Sequence, residues 1–166
     1  MTAEIKDKIT QCSPCNEYLS KQQKEPLMSY EIPSRPWKMV GQDLFTYNKT
    51  DYLITVDYYS DYWELDKLDT DTTSSTIVNC TKSHFARHGI PENVISDNGP
   101  QFISNEYETF AREWEFEYIT CSPYHSQSNG KVESAVKISK KIIKKTNKDK
   151  KDLQLAIFRL AKYTQH

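Results

Sequence analysis

The chain has 166 residues, of which 37% are hydrophobic and 27% are charged. This size and composition predict one soluble globular domain with a core of its own and room for a short appendage. There is no apolar run of about 18 residues and no apolar N-terminal stretch, so we expect neither a membrane span nor a signal peptide. Only Cys12 and Cys15 of the four cysteines lie close together in the sequence, which indicates an intracellular, reducing compartment.

Positive charge is concentrated in one segment. Residues 131–151 contain nine lysines and two acidic residues, a surplus of seven positive charges. Because the whole chain has a net charge of −1, the remainder carries −8. An acidic body with a basic arm is typical of a protein that binds nucleic acid. On charge alone, a solvated helix with salt bridges along its surface remains an open alternative.

The first half of the chain after residue 36 predicts strands. Two β-rich runs, WKMVGQDLFTY and DYLITVDYY, are separated by NKT, which indicates a hairpin. YWELDKL follows a turn at Ser60 and Asp61 and predicts a third antiparallel strand. DTTSSTIVNCTKSHFARHG then predicts a helix, since Asp and Thr capping candidates open it and Gly89 and Pro91 follow its end.

The second half alternates strands and helices. ENVISD predicts a short buried strand, SNEYETFAREWEF an amphipathic helix and FEYIT a fifth strand. The polar loop CSPYHSQSNG leads to a long helix in KVESAVKISKKIIKK and a last helix in DLQLAIFRLAKY. This order predicts a mixed α/β sheet with helices packed on it.

Two aspartates stand out because of their positions in the predicted strands. Asp43 lies in the middle of the first strand, where a buried charge is costly without a partner. Asp97 ends the fourth strand, and a parallel pairing of these two strands would bring the carboxylates together. Two close carboxylates repel, and a divalent cation is the common remedy. Alternatively, Asp97 only caps the turn in SDNGPQF.

Glu133 is the third acidic candidate. On a helical wheel that starts at Glu133, Lys137, Lys140 and Lys144 fall at about 40°, −20° and 20°. The apolar positions of the helix centre roughly 120° away, so Glu133 shares a polar stripe with these lysines and lies off the core face. Taken alone, a carboxylate beside lysines is usually an ordinary pair of charges four residues apart.

The spacing and the flanking motifs together resemble a known family. Asp43 and Asp97 are separated by 53 residues, and Asp97 and Glu133 by 35. With GQDLF, SDNGPQF and SPYHSQSNGKVESAVK around these acids, and HFARHGIP before the fourth strand, roughly residues 30–145 resemble the D,D-35-E catalytic core of retroviral and LTR-retrotransposon integrases of the Gypsy type.

The resemblance implies an RNase H-like fold with a five-stranded mixed sheet flanked by helices. It also implies that Asp43, Asp97 and Glu133 are catalytic and hold two Mg²⁺ or Mn²⁺ ions for trimming DNA ends and joining them to target DNA. DNA contacts are expected from six residues: Lys137, Lys140, Lys144, Tyr124, Gln127 and Asn129. A homo-oligomer and a nuclear location are further expectations.

The resemblance also predicts a domain division. Residues 1–29 correspond to a truncated zinc-binding module and linker, 30–150 to the catalytic core and 151–166 to a C-terminal helix. Cys12 and Cys15 have zinc-ligand spacing, but residues 1–11 contain no histidine to complete a site, so zinc is not expected. Cys80, His84 and His88 recur every four residues on the first helix, which suggests packing or capping rather than a metal stripe.

Two other functions stay open at this point. A non-catalytic, retroelement-derived module that binds DNA or protein would keep the fold without the reaction. A different RNase H-like nuclease, such as a transposase, is disfavoured by the Gypsy-like flanking motifs. The intact set of three carboxylates favours the enzyme.

Overall fold

The computed structural model describes residues 33–69, 71–121 and 130–163. These ranges contain five strands and four helices, with these bounds: β1 (Met39–Tyr47), β2 (Thr50–Asp57), β3 (Trp63–Leu68), α1 (Ser74–His88), β4 (Asn93–Asp97), α2 (Asn105–Glu113), β5 (Glu117–Cys121), α3 (Gly130–Asp149) and α4 (Leu153–Tyr163). None of these four helices combines the length and the apolar character needed to cross a membrane.

The strands form one mixed sheet in the order β3-β2-β1-β4-β5. β1, β2 and β3 are an antiparallel meander, whereas β4 runs parallel to both β1 and β5. The hairpin between β1 and β2 turns through Asn48 and Lys49, whose φ angles are 50° and 61°. Two left-handed residues between the paired Tyr47 and Thr50 make a tight turn whose twist suits the strands. The five-stranded mixed sheet predicted from the sequence is confirmed.

The side chains of β1 alternate between two cores, one on each face of the sheet. Val40 belongs to the core that α1 and α2 cover. Phe45 belongs to the core that α3 covers, together with Val132, Val136 and Ile143. By this alternation Gly41 and Asp43 face α3, and Gln42 faces α1 and α2.

Helix α1 begins and ends where its sequence predicts. The Thr73 hydroxyl accepts a hydrogen bond from the Thr76 N–H and caps the first turn. Gly89 follows the last turn with φ at 92°, and its N–H donates to the Phe85 carbonyl. A β-carbon at this φ would be strained, which explains why the helix stops at a glycine.

The histidine stripe of α1 packs against β3, which agrees with its predicted role. His84 is fully buried, with Nδ1 at 3.0 Å from the Thr55 hydroxyl and Nε2 at 2.5 Å from an Asp66 oxygen. His88 Nε2 lies 2.6 Å from a Glu64 oxygen, and its ring centroid is 4.2 Å from that of Trp37. The two imidazoles therefore link α1 to β3, the edge strand of the sheet.

Some of the predictions fall on residues outside the described ranges. Cys12 and Cys15 belong to this group, and so does the expectation that they bind no zinc. The division at residue 29 also lies there, so the proposed zinc-module remnant stays a prediction.

Candidate active site

Asp43 lies in the middle of β1, on the face of the sheet that α3 covers. It is half-buried, and within β1 its neighbours on this face are Gly41, which lacks a side chain, and the apolar Phe45. The strand places Asp43 there because its alternating pattern, read from Gly41 through Phe45, puts every second residue against α3. The sequence pattern of β1 therefore places the Asp43 carboxylate in a partly desolvated position.

Asp97 reaches the same face through the parallel pairing of β1 and β4. The paired residues are Met39 with Asn93, Val40 with Val94 and Gly41 with Ile95. Continued by two residues, this register brings Asp43 level with Asp97, the last residue of β4. Asp97 is exposed, and one of its oxygens accepts a hydrogen bond from the Gly99 N–H at 3.0 Å. It therefore caps the turn and also faces Asp43, so the two readings of SDNGPQF are compatible.

Glu133 completes the acidic group from the first turn of α3. Val132, Ala135, Val136 and Ile143 are buried against the sheet, whereas Glu133 is exposed. The helical wheel predicted this division between core and polar stripe. The helix thus carries Glu133 at the edge of its contact with β1.

The pKa of Asp43 reflects the proximity of the other two acids. The pKa of Asp43 is raised to about 6, mainly by burial and in addition by the negative charges of Asp97 and Glu133. A hydrogen bond from the Leu44 backbone and the charge of Lys140 act against this rise. Asp43 therefore interacts electrostatically with both other carboxylates.

The three carboxylates are not gathered into a preformed ligand set. Within residues 33–69, 71–121 and 130–163, no group of three or more His, Cys, Asp or Glu side chains is arranged to hold a metal ion. The donor chemistry nevertheless fits a hard divalent cation, because all three side chains offer carboxylate oxygens. A divalent cation bound between these carboxylates would offset the repulsion of their negative charges at Asp43.

Lys140 is the predicted DNA-binding lysine whose positive charge lowers the pKa of Asp43. Its ammonium lies 5.3 Å from the centroid of the Phe45 ring, which stacks on Tyr52. Lys137 and Lys144 are exposed on the same stripe of α3, and Lys144 is about 16 Å from Glu133 along the helix axis. Tyr124, Gln127 and Asn129 lie outside the described residues.

A polar cavity of about 290 Å³ opens beside Asp97. Its walls come from the end of β1, the start of β2 and the turn after β4, and they include Phe45, Asp51 and Gln101. The predicted lysines do not line it. A ligand that contacts Asp97 could therefore occupy this cavity.

Two residues that the sequence did not single out support the site. Gly41 lies against Val132 of α3. Asp57 stabilises the turn that follows β2, and the first turn of α3 lies next to this turn. The buried Asp57 carboxylate accepts hydrogen bonds from the N–H groups of Trp37 and Ser60 and from the Ser60 hydroxyl. Lys131 then donates to the Tyr58 carbonyl of that turn at 2.8 Å. A charged residue within a strand end was the available signal for Asp57, but its partners could not be read from the sequence.

Comparisons with known proteins agree with this arrangement. The family model described as integrase core domain matches residues 34–126, which include Asp43 and Asp97 and end before Glu133. The chain is 26% identical over 157 residues to the intracisternal A-particle Pol-related polyprotein of mouse intracisternal A-particle MIA14, covering 90% of this chain. It spans 11% and 17% of the length of the first two curated relatives that it matches.

Solved structures show the same fold. The catalytic core domain of BIV integrase matches with a TM-score of 0.63 and 25% identity, covering 75% of this chain and 80% of that one. The HTLV-2 integrase catalytic core, solved in complex with magnesium in trimeric form, matches with a TM-score of 0.60 and 24% identity, covering 75% and 82%. The RNase H-like architecture is thereby confirmed. Since the integrase core model matches more than half of the chain and its relatives are retroviral and retrotransposon Pol polyproteins and integrase cores, the chain belongs to the integrase core domain family.

Proposed function

We propose that this chain is an integrase catalytic core, a metal-dependent polynucleotidyl transferase that processes the ends of retroelement DNA and joins them to target DNA. The observation that carries this proposal is the position of Asp43. It is a half-buried carboxylate whose pKa is raised to about 6 by burial and by the charges of Asp97 and Glu133. Carboxylates with strongly raised pKa values cluster at functional sites. Carboxylate oxygens are suited to binding a divalent cation, which would relieve the repulsion.

Asp43, Asp97 and Glu133 would hold two Mg²⁺ or Mn²⁺ ions. Bound there, two such ions would activate the attacking water or 3′-hydroxyl and stabilise the leaving oxygen in an in-line displacement. The HTLV-2 core that this chain resembles was solved with magnesium. No histidine base or covalent nucleophile is required from the chain.

The lysine stripe of α3 would position the DNA. Lys140, held over Phe45 beside Asp43, would contact the phosphate next to the reacting one. Lys137 and Lys144 would contact phosphates on either side of it. Tyr124, Gln127 and Asn129 are proposed to contact the DNA end or the target. The HTLV-2 core has trimeric and dimeric forms, and we propose a homo-oligomer for this chain as well.

A second candidate is a retroelement-derived module that binds DNA or protein without catalysis. It is favoured by one observation, the lack of a metal-binding cluster among the described residues. In such a module the lysine stripe would still bind DNA, and the three carboxylates would no longer be needed. The two candidates therefore differ in metal dependence and not in DNA affinity.

The test uses a branched DNA that mimics a half-integrated product, because it needs the least help from flanking domains. We expect Mn²⁺-dependent resolution of the branch by the wild-type chain and by the control Glu108→Gln, which changes an exposed glutamate of α2. Glu133→Gln should lose the activity. Equal activity in the wild type and Glu133→Gln would contradict the assigned site. Binding without resolution in all three proteins would favour the binding module.

A second test examines the metal site without the reaction. Mg²⁺ or Mn²⁺ should raise the Tm of the wild-type chain, because bound cations relieve the repulsion around Asp43 and stabilise the folded state. Asp97→Asn should abolish the rise. The same metal response in Asp97→Asn and in the wild type would exclude Asp97 as a ligand.

A further inference from the structure

Gly41 lies at the contact between β1 and α3, two residues before Asp43 and on the same face of the sheet. A β-carbon at this position would lie 2.4 Å from Val132 Cγ2 and 2.7 Å from Tyr58 Cε2. Both distances are too short for any side chain to fit without movement. Val132 is fully buried and directly precedes Glu133. The missing side chain of Gly41 therefore sets how closely the start of α3 approaches the strand that carries Asp43.

The strand cannot yield to a larger residue at position 41. Next to it, the fully buried Gln42 donates from Nε2 to the hydroxyls of Thr55 at 2.9 Å and Thr81 at 3.0 Å. Its Oε1 accepts from the Tyr107 hydroxyl at 2.5 Å. β1 also has a paired strand on each side. This fixed network on the opposite face means that β1 stays in place.

The helix has more freedom than the strand. A cavity of about 590 Å³ lies beside its first two turns, lined by Val56, Trp63, Ala135 and Ile138 among others. The first turn is tied to the rest of the fold through the side chain of Lys131, which donates to the Tyr58 carbonyl and to Asp61. A lysine side chain is flexible enough to follow a small displacement. Any movement forced at position 41 therefore falls on α3.

We propose that Gly41 is a positioning residue that sets the separation of Asp43 and Glu133, an inference that rests on the proposed function. Alanine would have to increase the 2.4 Å contact to the 3.4 Å of ordinary packing. That moves Val132, and Glu133 with it, by about 1 Å, enough to impair a site that depends on geometry. A purely structural role would lower stability and leave the metal affinity of the folded protein unchanged.

The experiment measures Mn²⁺ affinity by isothermal titration on the full chain. Gly41→Ala should weaken Mn²⁺ binding by about 10- to 100-fold, the range typical of changes that misorient ligands. Gly41→Ala combined with Val132→Ala should recover part of the affinity, because it removes the methyl group 2.4 Å from the new β-carbon, whereas the contact with Tyr58 Cε2 at 2.7 Å remains. The matched control is Gly130→Ala at the start of the same helix, where a β-carbon meets nothing within 4 Å. Its affinity should equal that of the wild type.

The outcomes separate this inference from the proposed function. A wild-type chain that binds no Mn²⁺ contradicts the metal site, and the role of Gly41 falls with it. Wild-type affinity in a folded Gly41→Ala overturns only the role of Gly41. If Gly41→Ala does not fold, Val132→Ile presses the same contact from the helix side. Reduced affinity in folded Val132→Ile then supports the inference, and unchanged affinity overturns it.

Discussion

Asp43 is the residue at which stability and the proposed function oppose each other. Its carboxylate is half-buried and faces two further negative charges, which together raise its pKa to about 6. Since an unfolded aspartate titrates near 3.8, the charged form is less favourable in the folded chain. Discounted for its partial exposure to solvent, the cost at neutral pH is about 1–2 kcal/mol.

Replacing Asp43 by asparagine should therefore stabilise the protein in the absence of metal. The amide keeps the shape and removes the repelled charge, so we expect the free energy of unfolding at pH 7.5 to rise by about 1–2 kcal/mol. Urea denaturation with and without Mg²⁺ checks this. The variant should also lose the stabilisation by Mg²⁺, and a variant that is less stable than the wild type would contradict the electrostatic assignment.

The pH dependence of the same pair of proteins follows from linkage. The folded state binds the Asp43 proton more tightly than the unfolded state, so stability due to this group is highest below about pH 4 and is lost as pH rises through 6. The difference in unfolding free energy between Asp43→Asn and the wild type should therefore grow from pH 4 to pH 7. Taking the difference cancels titrations that both proteins share. A difference that is constant over this range would exclude the raised pKa.

At the residue scale the sequence pointed to the three candidate acids but not to the residues that pack around them. Asp43, Asp97 and Glu133 could be predicted because each breaks a local pattern or matches a motif. Gly41 and Asp57 gave no comparable signal, since a glycine in a strand and an aspartate at its end are both common. Their importance depends on Val132 and Trp37, which lie far away in the chain and come close only in the folded protein.

Among the elements, the β1–β2 hairpin offers a direct test of turn geometry. Lys49 has φ at 61°, a conformation that costs free energy for a residue with a β-carbon. Glycine there, after Asn48, would give the Asn-Gly sequence that this turn prefers. The left-handed conformation costs a residue with a β-carbon about 1–2 kcal/mol, and the greater freedom of glycine in the unfolded chain offsets about 0.4–1 kcal/mol of that gain. We therefore expect Lys49→Gly to raise the free energy of unfolding by about 0.5–1 kcal/mol. Thermal melts of this variant and of Lys49→Ala check it, and equal stability of the two would contradict the strained turn.

The buried polar network joins β1 and β2 to α1 and α2 through Gln42. Burial raises the pKa of Tyr107 well above its usual value, so its hydroxyl stays protonated and can donate to Gln42 Oε1. Tyr107→Phe would leave that oxygen without this donor. We expect a loss of about 1–3 kcal/mol in the free energy of unfolding. The control is Tyr59→Phe on the surface, which should change it by less than about 0.5 kcal/mol.

The order of elements could be predicted because their periodicities differ along the chain. Alternating runs predicted the strands, and caps such as Thr73 and Gly89 predicted the ends of α1. The contacts between elements were less accessible. Thr81 and Ser139 are buried polar residues on helix faces, and a pattern of apolar residues alone does not indicate them. The fit of Gln42 between two helices likewise depends on side-chain packing at long range.

For the whole molecule, sequence reasoning predicted the fold class and the pairing of β1 with β4. It could do so because a meander followed by alternating strands and helices leaves few arrangements of the sheet. The uneven charge of the chain also has a structural counterpart. α3 covers one face of the sheet, and Lys137, Lys140 and Lys144 lie on the stripe of this helix that begins at Glu133. Under the proposed function, DNA should approach in one orientation, with its backbone along α3.

This orientation can be measured through the salt dependence of DNA binding. Each phosphate contact that is lost should reduce the slope of log K against log salt by about 0.9. Lys137→Ala combined with Lys140→Ala should therefore reduce the slope by about 2. Lys145→Ala is the control, because Lys145 lines the cavity between α3 and α4 and lies off the stripe. A loss of slope of about 0.9 in Lys145→Ala, the same loss per lysine, would mean that DNA follows the total charge of α3 and that the stripe beside the acids has no special part in binding it.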